Sequence, residues 1–239
     1  MIPESYTNDE AVAMLKNAAS KGGKIDGDGK VIDVGATASR GALDLTASNK
    51  ETCLANMTIK GKGTGVNPVV MIDGTNQTVR LTNVVVQNTS SGCSLSLSTN
   101  GATSQVFENC TFKGKAYFLG SNATFITCSF DKNNNIENSA TNFTFTECTF
   151  NCPMGSSAFT LNAKAQDILI ENCTFTGSGS AILIYKSMSA NYAQQLANVK
   201  LINNTYKSKL VTTGSTTSAE YYEGWKAAGA WIEEGNVKN

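Results

Sequence analysis

A six-residue pattern of apolar and polar positions recurs seven times along the chain. Its order is apolar residue, spacer, usually Asn, apolar residue or Cys, usually Thr, and apolar residue. Because successive strand side chains point to opposite sides, each copy predicts two short strands joined at a bend. A repeat of about 20–30 residues with such strands is typical of a solenoid, in which each coil buries its apolar side against the next. The copies are Leu54–Ile59, Leu81–Val86, Phe107–Phe112, Phe125–Phe130, Phe145–Phe150, Ile170–Phe175 and Leu201–Tyr206.

The third position of the pattern is predicted to form the bend. Asn tolerates the left-handed backbone conformation that a tight bend requires. In stacked coils, the amides at this position would form a hydrogen-bonded ladder with a step of about 4.8 Å, which we expect to be buried. Thr127 and Glu147 occupy the position in two coils and are predicted weak points of the ladder. The ladder residues are Asn56, Asn83, Asn109, Asn172 and Asn203.

Four of the seven Cys residues take the fourth position of the pattern. Stacked coils would place these four thiols in one buried column with parallel side chains, which is poor geometry for a disulfide. We therefore predict reduced Cys residues that serve as small core residues. No His and no Cys-x-x-Cys pair occurs, so we expect no metal site and no cofactor. The column consists of Cys110, Cys128, Cys148 and Cys173.

Both ends of the chain predict helices. Thr7 and Glu10 form a capping box before an amphipathic segment, and this helix would cover the first coil. Thr217 and Glu220 form a second capping box. The aromatic segment after it predicts a C-terminal helix, which is either a cap or an attachment surface for a partner protein. The interface candidates on this segment are Tyr221, Trp225, Trp231 and Ile232.

The Asn-then-apolar pattern, with a strand before and after it, resembles that of the pectin-lyase-like superfamily of right-handed parallel β-helices. The resemblance covers about Gly22 to Leu210. It implies an all-β fold, a right-handed parallel β-helix of about eight coils. We expect one structural domain with a capping helix at 1–22, the β-helix at 23–212, and a C-terminal helix and tail at 213–239. This fold supports lyases, hydrolases, phage spikes and inert scaffolds, so the resemblance does not identify an activity.

Charge and hydropathy narrow the classes of partner. Nineteen basic and nineteen acidic residues leave no net charge, and no run of five or more basic residues occurs. We therefore expect neither a nucleic-acid partner nor an anionic membrane. The first residues lack the cationic and apolar regions of a secretory signal, and no apolar stretch of about 18 residues is present. These features predict synthesis in a cytoplasm and, for a protein that acts outside cells, release by lysis, through a specialised exporter or as part of a virion.

Candidate catalytic chemistry is limited to carboxylates and lyase-type bases, because the chain has no His. In the family that the chain resembles, pectate lyases use calcium-binding acids beside a basic residue, typically Arg. Arg80 is predicted to point outward from a strand, and Asp73 lies in the same coil, so these two residues are the catalytic candidates. A calcium-dependent lyase requires further acids to converge on the same groove. Those acids are Asp26, Asp28, Asp33 and Asp44.

Carbohydrate binding is a second class of function that the sequence allows. Outward Tyr side chains on a flat solenoid face could stack on the sugar rings of a polysaccharide. Two polar segments, residues 131–138 and 186–197, are predicted surface loops that would contact partners. The candidate Tyr residues are Tyr117, Tyr185, Tyr192 and Tyr206.

The interpretation that we favour is a non-enzymatic structural protein. A small, neutral, His-free β-helix without a signal resembles accessory components of bacteriophage virions, namely capsid decoration, fibre or spike proteins. Such a protein would be located in the virion, would contact other virion proteins, and would form a homo-oligomer, typically a trimer. The alternative is a polysaccharide-binding or lyase-type polysaccharide-degrading β-helix.

Overall fold

The computed structural model describes residues 1–36, 40–64, 67–98, 104–137, 140–162, 165–185 and 198–239. It contains the helices α1 (Asn8–Lys21) and α2 (Thr216–Ala227) and the strands β1 to β24. The first strands are β1 (Gly23–Asp26), β2 (Val31–Ala36), β3 (Leu43–Leu45), β4 (Glu51–Lys62), β5 (Val70–Ile72), β6 (Thr78–Asn88), β7 (Cys93–Leu97) and β8 (Ser104–Glu108). The next are β9 (Thr111–Lys113), β10 (Lys115–Phe118), β11 (Ser121–Ile126), β12 (Ser129–Phe130), β13 (Asn134–Ile136), β14 (Thr141–Thr146), β15 (Thr149–Cys152) and β16 (Ser157–Leu161). The last are β17 (Gln166–Glu171), β18 (Thr174–Gly177), β19 (Ser180–Ile184), β20 (Val199–Ile202), β21 (Thr205–Tyr206), β22 (Lys209–Thr213), β23 (Trp231–Glu234) and β24 (Val237–Lys238).

The strands form a parallel β-helix with three faces, which confirms the predicted all-β fold. Each strand between the two ends pairs in parallel with the strands one coil before and one coil after it. β4 and β6 each span the first and second faces, whereas each later coil divides these faces between two strands, such as β8 and β9. The third face is the eight-stranded sheet β3-β5-β7-β10-β13-β16-β19-β22. The described chain therefore has eight three-faced coils, followed by β23 and β24.

The apolar positions of the repeat form continuous columns inside the solenoid. On the first face, the rings of Phe107, Phe125 and Phe145 stack with centroid distances of 4.4 and 4.9 Å and interplanar angles of 7°. Stacking of this kind adds to the stabilisation that burial provides. A second stack, on the second face, consists of Phe112, Phe130, Phe150 and Phe175.

The bend residues form the predicted ladder, but they lie on the outer surface. Asn83 and Asn109 have φ angles of 54° and 52°, in the left-handed region. Nδ2 of Asn83 donates to Oδ1 of Asn56 at 2.9 Å, and Nδ2 of Asn109 donates to Oδ1 of Asn83 at 2.7 Å. Asp26 begins the ladder, because its Oδ2 accepts from Nδ2 of Asn56 at 3.0 Å. The expectation of burial was wrong, since Asn83 and Asn109 are exposed and the next position points into the core.

Two coils interrupt the amide ladder, as predicted. Thr127 and Glu147 take the bend position with φ angles of 51° and 55°, although neither side chain carries an amide. The hydroxyl of Thr127 donates to the carbonyl of Ile126 at 2.8 Å instead. The left-handed conformation continues at Asn172 and Asn203, both with φ of 53° and both exposed. These coils therefore all have the left-handed bend, whether or not the residue at the bend carries a side-chain amide.

The predicted column of thiols is present, and its four Cys residues are buried and free of disulfides. Each Sγ donates to a carbonyl of the preceding coil, as Cys110 does to Leu81 at 3.4 Å. The following coil places Asn204 in the same column, where its Oδ1 accepts from the backbone nitrogen of Cys173 at 2.9 Å. The column thus changes from thiol to amide without leaving a buried polar atom of Asn204 unpaired.

The N-terminal helix covers the first coil, as the sequence predicts. Thr7 is its N-cap, and the capping box with Glu10 is formed. The side chains of Ala11, Leu15 and Ala18 are buried and belong to the main core. Helix α1 therefore closes the apolar interior at this end of the solenoid.

The C-terminal helix differs from its prediction at both of its ends. Its N-cap is Ser215, with Ser218 as the capping-box partner, rather than the predicted pair two residues later. The helix stops before Gly229, which has a φ of 70°. Trp231 and Ile232, predicted to lie on this helix, instead belong to β23, which pairs with β20. The β-helix consequently continues beyond residue 212, and α2 is a connection between β22 and β23.

The two predicted surface loops have different outcomes. Within residues 131–138, β13 forms a strand of the third face, and Asn134 is fully buried. Its amide is satisfied, accepting from the nitrogen of Ala116 at 3.2 Å and donating to the carbonyl of Ala158 at 3.1 Å. Residues 138–139 and 186–197, which include the candidate Tyr192, lie outside the described residues. Neither of the two described helices is long and apolar enough to cross a membrane.

Candidate functional site

The two catalytic candidates lie on different faces and do not form a common site. Arg80 is exposed on the part of β6 that belongs to the first face. Asp73 follows β5 on the third face, and its side chain is only 3 % exposed because it forms an ion pair with Arg40. The predicted lyase arrangement required Asp73 beside Arg80. Burial of Asp73 against another Arg is the physical reason that this arrangement is absent from the described residues.

The other acids of the first coils take part in separate structural contacts. The backbone nitrogen of Asp28 and the amide of Asn56 hold the pKa of Asp26 below its ordinary value. Asp28 itself adopts a φ of 52° in the turn between β1 and β2. Asp33, on β2, pairs with Lys60 at 3.4 Å. The acids are therefore distributed over several faces and do not converge on one groove.

Asp44 lies beside Arg40 at the N-terminal end of the third face. Burial raises the pKa of Asp44, and the positive charge of Arg40 opposes that rise. A cavity of about 280 Å³ is lined by Lys16, Leu43 and Asp44, among others. Within the described part of the chain, no three Asp, Glu or Cys residues are grouped so as to hold a metal ion.

A row of hydroxyl side chains runs along the outside of the second face. Its members occupy the fifth position of the repeat, and strand register aligns them from coil to coil. Parallel pairing spaces neighbours by about 4.8 Å. The recurring Thr of the pattern was visible in the sequence. Which of these residues line up along the face depends on the register of the paired strands. We call it the threonine row, and it consists of Thr58, Thr111, Ser129, Thr149, Thr174 and Thr205, with Val85 between Thr58 and Thr111.

The threonine row ends beside a cavity of about 300 Å³ at the C-terminal end of the second face. Two members of the row, Thr174 and Thr205, line the cavity. Thr176, Lys207 and Asn239 also line it, whereas the rings of Phe175 and Tyr206, on the same strands, pack toward the core. We call this feature the second-face cavity. It brings hydroxyl groups and the side chain of one Lys together within two coils.

The remaining Tyr candidates stand apart from this surface. Tyr117 is half-buried on the third face, where burial raises the pKa of its hydroxyl. Tyr185, which follows β19 of the same face, is 40 % exposed. Among the described candidates, only Tyr206 therefore adjoins the threonine row.

The aromatic residues proposed as an interface mostly close the C-terminal end of the core. Trp225 and Trp231 are 4 % and 3 % exposed, and their rings stack at 6.3 Å. Nε1 of Trp231 donates to Oε1 of Glu233 at 2.8 Å, and the hydroxyl of Tyr222 donates to the same oxygen. The tryptophans thus act as a cap and leave little ring surface for a partner. Ile232 is 36 % exposed on the outer side of the first face.

Comparisons with known proteins add little to this description. The chain matches no protein-family model and no curated protein. Among solved structures, it is similar to that of QnrB1, a plasmid-mediated fluoroquinolone resistance protein, with 11 % identity and a TM-score of 0.30 over 85 % of this chain and 98 % of that chain. The parallel strand ladders, and not this similarity, establish the fold, and the similarity says nothing about function.

Proposed function

We propose that the protein is a non-enzymatic structural β-helix, an accessory component of a bacteriophage virion such as a capsid decoration, fibre or spike protein. The observation that carries the proposal is that the candidate catalytic acids each form a structural contact of their own, apart from one another. Asp73 pairs with Arg40, Asp33 with Lys60, and Asp26 with Asn56. Charged groups used in this way stabilise coils and are not directed toward a substrate.

The construction of the solenoid supports a mechanical role. Continuous aromatic and thiol columns link successive coils, and helices α1 and α2 close the two ends. A densely packed interior of this kind resists local opening, which is useful to a protein exposed to proteases outside a cell. The outer surface tolerates variation, because only inward positions are constrained by packing.

Apolar side chains on the outer first face support the proposed homotrimer. Ile232 is 36 % exposed, and Leu169 and Ile202 are half-buried on the neighbouring coils. Contacts between copies commonly use such exposed apolar groups. The partners that we propose are therefore further copies of this chain, together with other virion proteins.

The homotrimer is tested by light scattering on the intact chain and on the double variant Ile202→Lys with Ile232→Lys. We expect a trimer for the unchanged protein and a monomer for the variant, because buried charges without partners oppose association. Thr124→Lys, on the same face, is the matched control and should remain trimeric. A monomeric unchanged protein contradicts this part of the proposal.

The virion role is tested on phage particles from cells that encode this chain. Antibodies against the protein should label purified virions in electron micrographs. Protein found only in the supernatant of the lysate would contradict a virion location.

The non-enzymatic role is tested by incubation with calcium and polygalacturonate, which should produce no rise in ultraviolet absorbance. A rise would show unsaturated lyase products and refute this role.

Polysaccharide binding is the second candidate function, and the threonine row favours it. An uncharged row of hydroxyls, present in six of the eight coils, suits a linear polymer that runs along the solenoid axis. The lyase version of this candidate has less support, because Asp73 pairs with Arg40 and not with Arg80. Retention of the protein on an insoluble polysaccharide, and its loss on Thr149→Lys, would test the binding version.

A further inference from the structure

We propose that the free edge of β22 binds an extended segment of a partner protein, which adds one further strand to the third face. The segment is distinct from the copies of the proposed homotrimer, which would meet at the outer first face. It is defined by its chemistry, namely an extended backbone with alternating apolar and polar side chains. Three features support this binding: the unpaired backbone groups of β22, the groove beside them, and the charges on the two sides of the groove.

The coil that follows the eighth is incomplete on its third face. β23 continues the first face and β24 continues the second, whereas β22, one coil earlier, is the last strand of the third face. In the described part of the chain, β22 pairs only with β19. The chain runs from β22 through α2 to β23, so the strand position next to β22 is vacant.

The vacant position faces unpaired backbone groups. In a parallel sheet, the N–H and C=O groups of successive residues point alternately to the two neighbouring strands. The nitrogen of Gly214 donates to the carbonyl of Ile184 at 3.0 Å, so the groups of Thr212, two residues earlier, also face β19. The groups of Val211 and Thr213 consequently point away from β19, and no hydrogen bond to them exists among the described residues. Unpaired groups at a sheet edge are a template for another strand.

A groove lies beside this edge. Its volume is about 430 Å³, within the range of ligand pockets. One side is formed by β22, including both Val211 and Thr213, and the other side by Ala219 and Tyr222 of α2. The backbone groups of a helix are bonded along the helix itself, so α2 does not satisfy those of β22. The groove thus provides room next to the strand edge, with side chains on its opposite wall.

The side chains of β22 specify the pattern of the segment. Val211 follows the buried Ile182 in its column, on the inner side of the third face. Thr213 follows the buried Ile184 in the same way, whereas Thr212 lies on the outer side. A further strand in register would place apolar side chains beside Val211 and Thr213 and a polar side chain beside Thr212.

The charges at the groove favour a segment that carries both signs. Lys209 of β22 and Glu223 of α2 line the groove, and both are exposed. Neither forms an ion pair with another described residue. Because opposite charges across an interface guide association, a segment with one basic and one acidic residue complements this groove.

The experiment follows backbone amide hydrogen exchange in the intact protein by NMR, without and with a synthetic peptide. The probe is a capped peptide of alternating Val and Thr with Lys and Glu at its two ends. Without it, we expect fast exchange at Val211 and Thr213 and slow exchange at Thr212. With the peptide at about ten times its dissociation constant, exchange at Val211 and Thr213 should slow by about tenfold. A peptide N-methylated throughout cannot donate hydrogen bonds, and as the matched control it should slow neither amide.

Proline substitutions test the same edge from the side of the protein. Pro is tolerated in an edge strand where the missing N–H would face away from the sheet. Thr213→Pro should therefore retain the thermal midpoint and lose the response to the peptide. Thr212→Pro removes a hydrogen bond to β19 and should lower the midpoint. Equal midpoints in the two variants would contradict the orientation assigned to the edge.

Three results with the unchanged protein would overturn the proposal. Slow exchange at Val211 and Thr213 in dilute protein alone would show that the edge is already paired. Exchange that slows as the protein concentration rises would identify a second copy of this chain as the occupant. Unchanged exchange in the presence of the peptide would show that the edge accepts no further strand.

Discussion

Nδ2 of Asn109 donates a hydrogen bond of 2.7 Å to Oδ1 of Asn83, and this bond joins two successive coils at their bend. Asn83 in turn donates to Asn56, whose amide reaches Asp26. The amides of Asn56 and Asn83 therefore each act as donor to one coil and as acceptor from the next. The same residues hold left-handed backbone, so backbone conformation and side-chain bonding contribute together at each bend.

The two contributions can be separated at Asn83. Asn83→Ala removes two hydrogen bonds. It also places at φ of 54° a residue that has a Cβ but whose side chain cannot form a local hydrogen bond, as the Asn side chain can. We expect it to lower the free energy of unfolding by about 2 kcal/mol. Asn83→Gly removes the same bonds but adopts this conformation readily, so it should cost about 1 kcal/mol less than Asn83→Ala. Urea unfolding followed by circular dichroism measures both, and equal losses would contradict a conformational contribution.

The interrupted ladder predicts a stabilising substitution. Thr127 is β-branched and holds φ of 51°, a conformation that Asn adopts at lower cost. Thr127→Asn should raise the free energy of unfolding by about 1 kcal/mol, since it relieves strain and supplies an amide opposite Asn109. Thr149→Asn is the control, because Thr149 lies within an ordinary strand and its replacement should give no gain. An unfolding midpoint of Thr127→Asn at or below that of the unchanged protein would disprove the expectation.

The thiols should differ sharply in reactivity. Burial raises the pKa of Cys93 to about 12 and of Cys152 to about 11, and both side chains are inaccessible. Burial and the neighbouring Glu51 raise the pKa of the Cys53 thiol as well, but Cys53 is partly exposed, so accessibility is what distinguishes it from the buried thiols. In native protein near pH 8, we therefore expect one fast-reacting thiol with a colorimetric thiol reagent and the remaining six only after unfolding. Cys53→Ser should abolish the fast phase, and a persistent fast phase in that variant would contradict the assignment.

Stability at high pH should depend on Tyr222. Burial and the hydrogen bond to Glu233 raise the pKa of this hydroxyl above its ordinary value of 10.0. A raised folded-state pKa means that the folded protein retains the proton longer than the unfolded chain does. The contribution of the protonated Tyr222 hydroxyl to the free energy of unfolding is therefore complete below about pH 10 and is lost as the pH rises further. Urea midpoints measured between about pH 9 and 11 should fall less steeply in Tyr222→Phe than in the control Tyr6→Phe, and parallel curves would count against this role.

Much of the fold could be read from the repeat. The alternation of apolar and polar residues within each copy specifies strands, and the spacing of copies specifies coils. The N-terminal helix followed from Thr7 and Glu10, because a capping box is a local arrangement. The C-terminal helix was placed less well, since Ser215 and Ser218 also form a capping box and Trp231 can satisfy either a helical or a strand pattern.

The last coil shows why sequence reasoning stopped early. In β23 and β24, Glu233 and Lys238 stand in register with Leu201 and Tyr206, so the apolar positions of the pattern are filled by charged residues. Gly235 takes the left-handed bend with φ of 63°. Pairing with the previous coil holds these strands in place, and Trp231, in register with Val199, is their one buried residue.

The sequence by itself determined the strands of the recurring pattern, their bends and the thiol column, because each depends on residues close together within one repeat. Only the tertiary structure decided which side of the wall the amide ladder occupies, that Asp73 pairs with Arg40 on a face other than that of Arg80, and that the threonine row ends beside the second-face cavity. These relationships join residues of different coils. Their geometry depends on strand register and on the corners between faces, which the order of residues within a repeat does not encode.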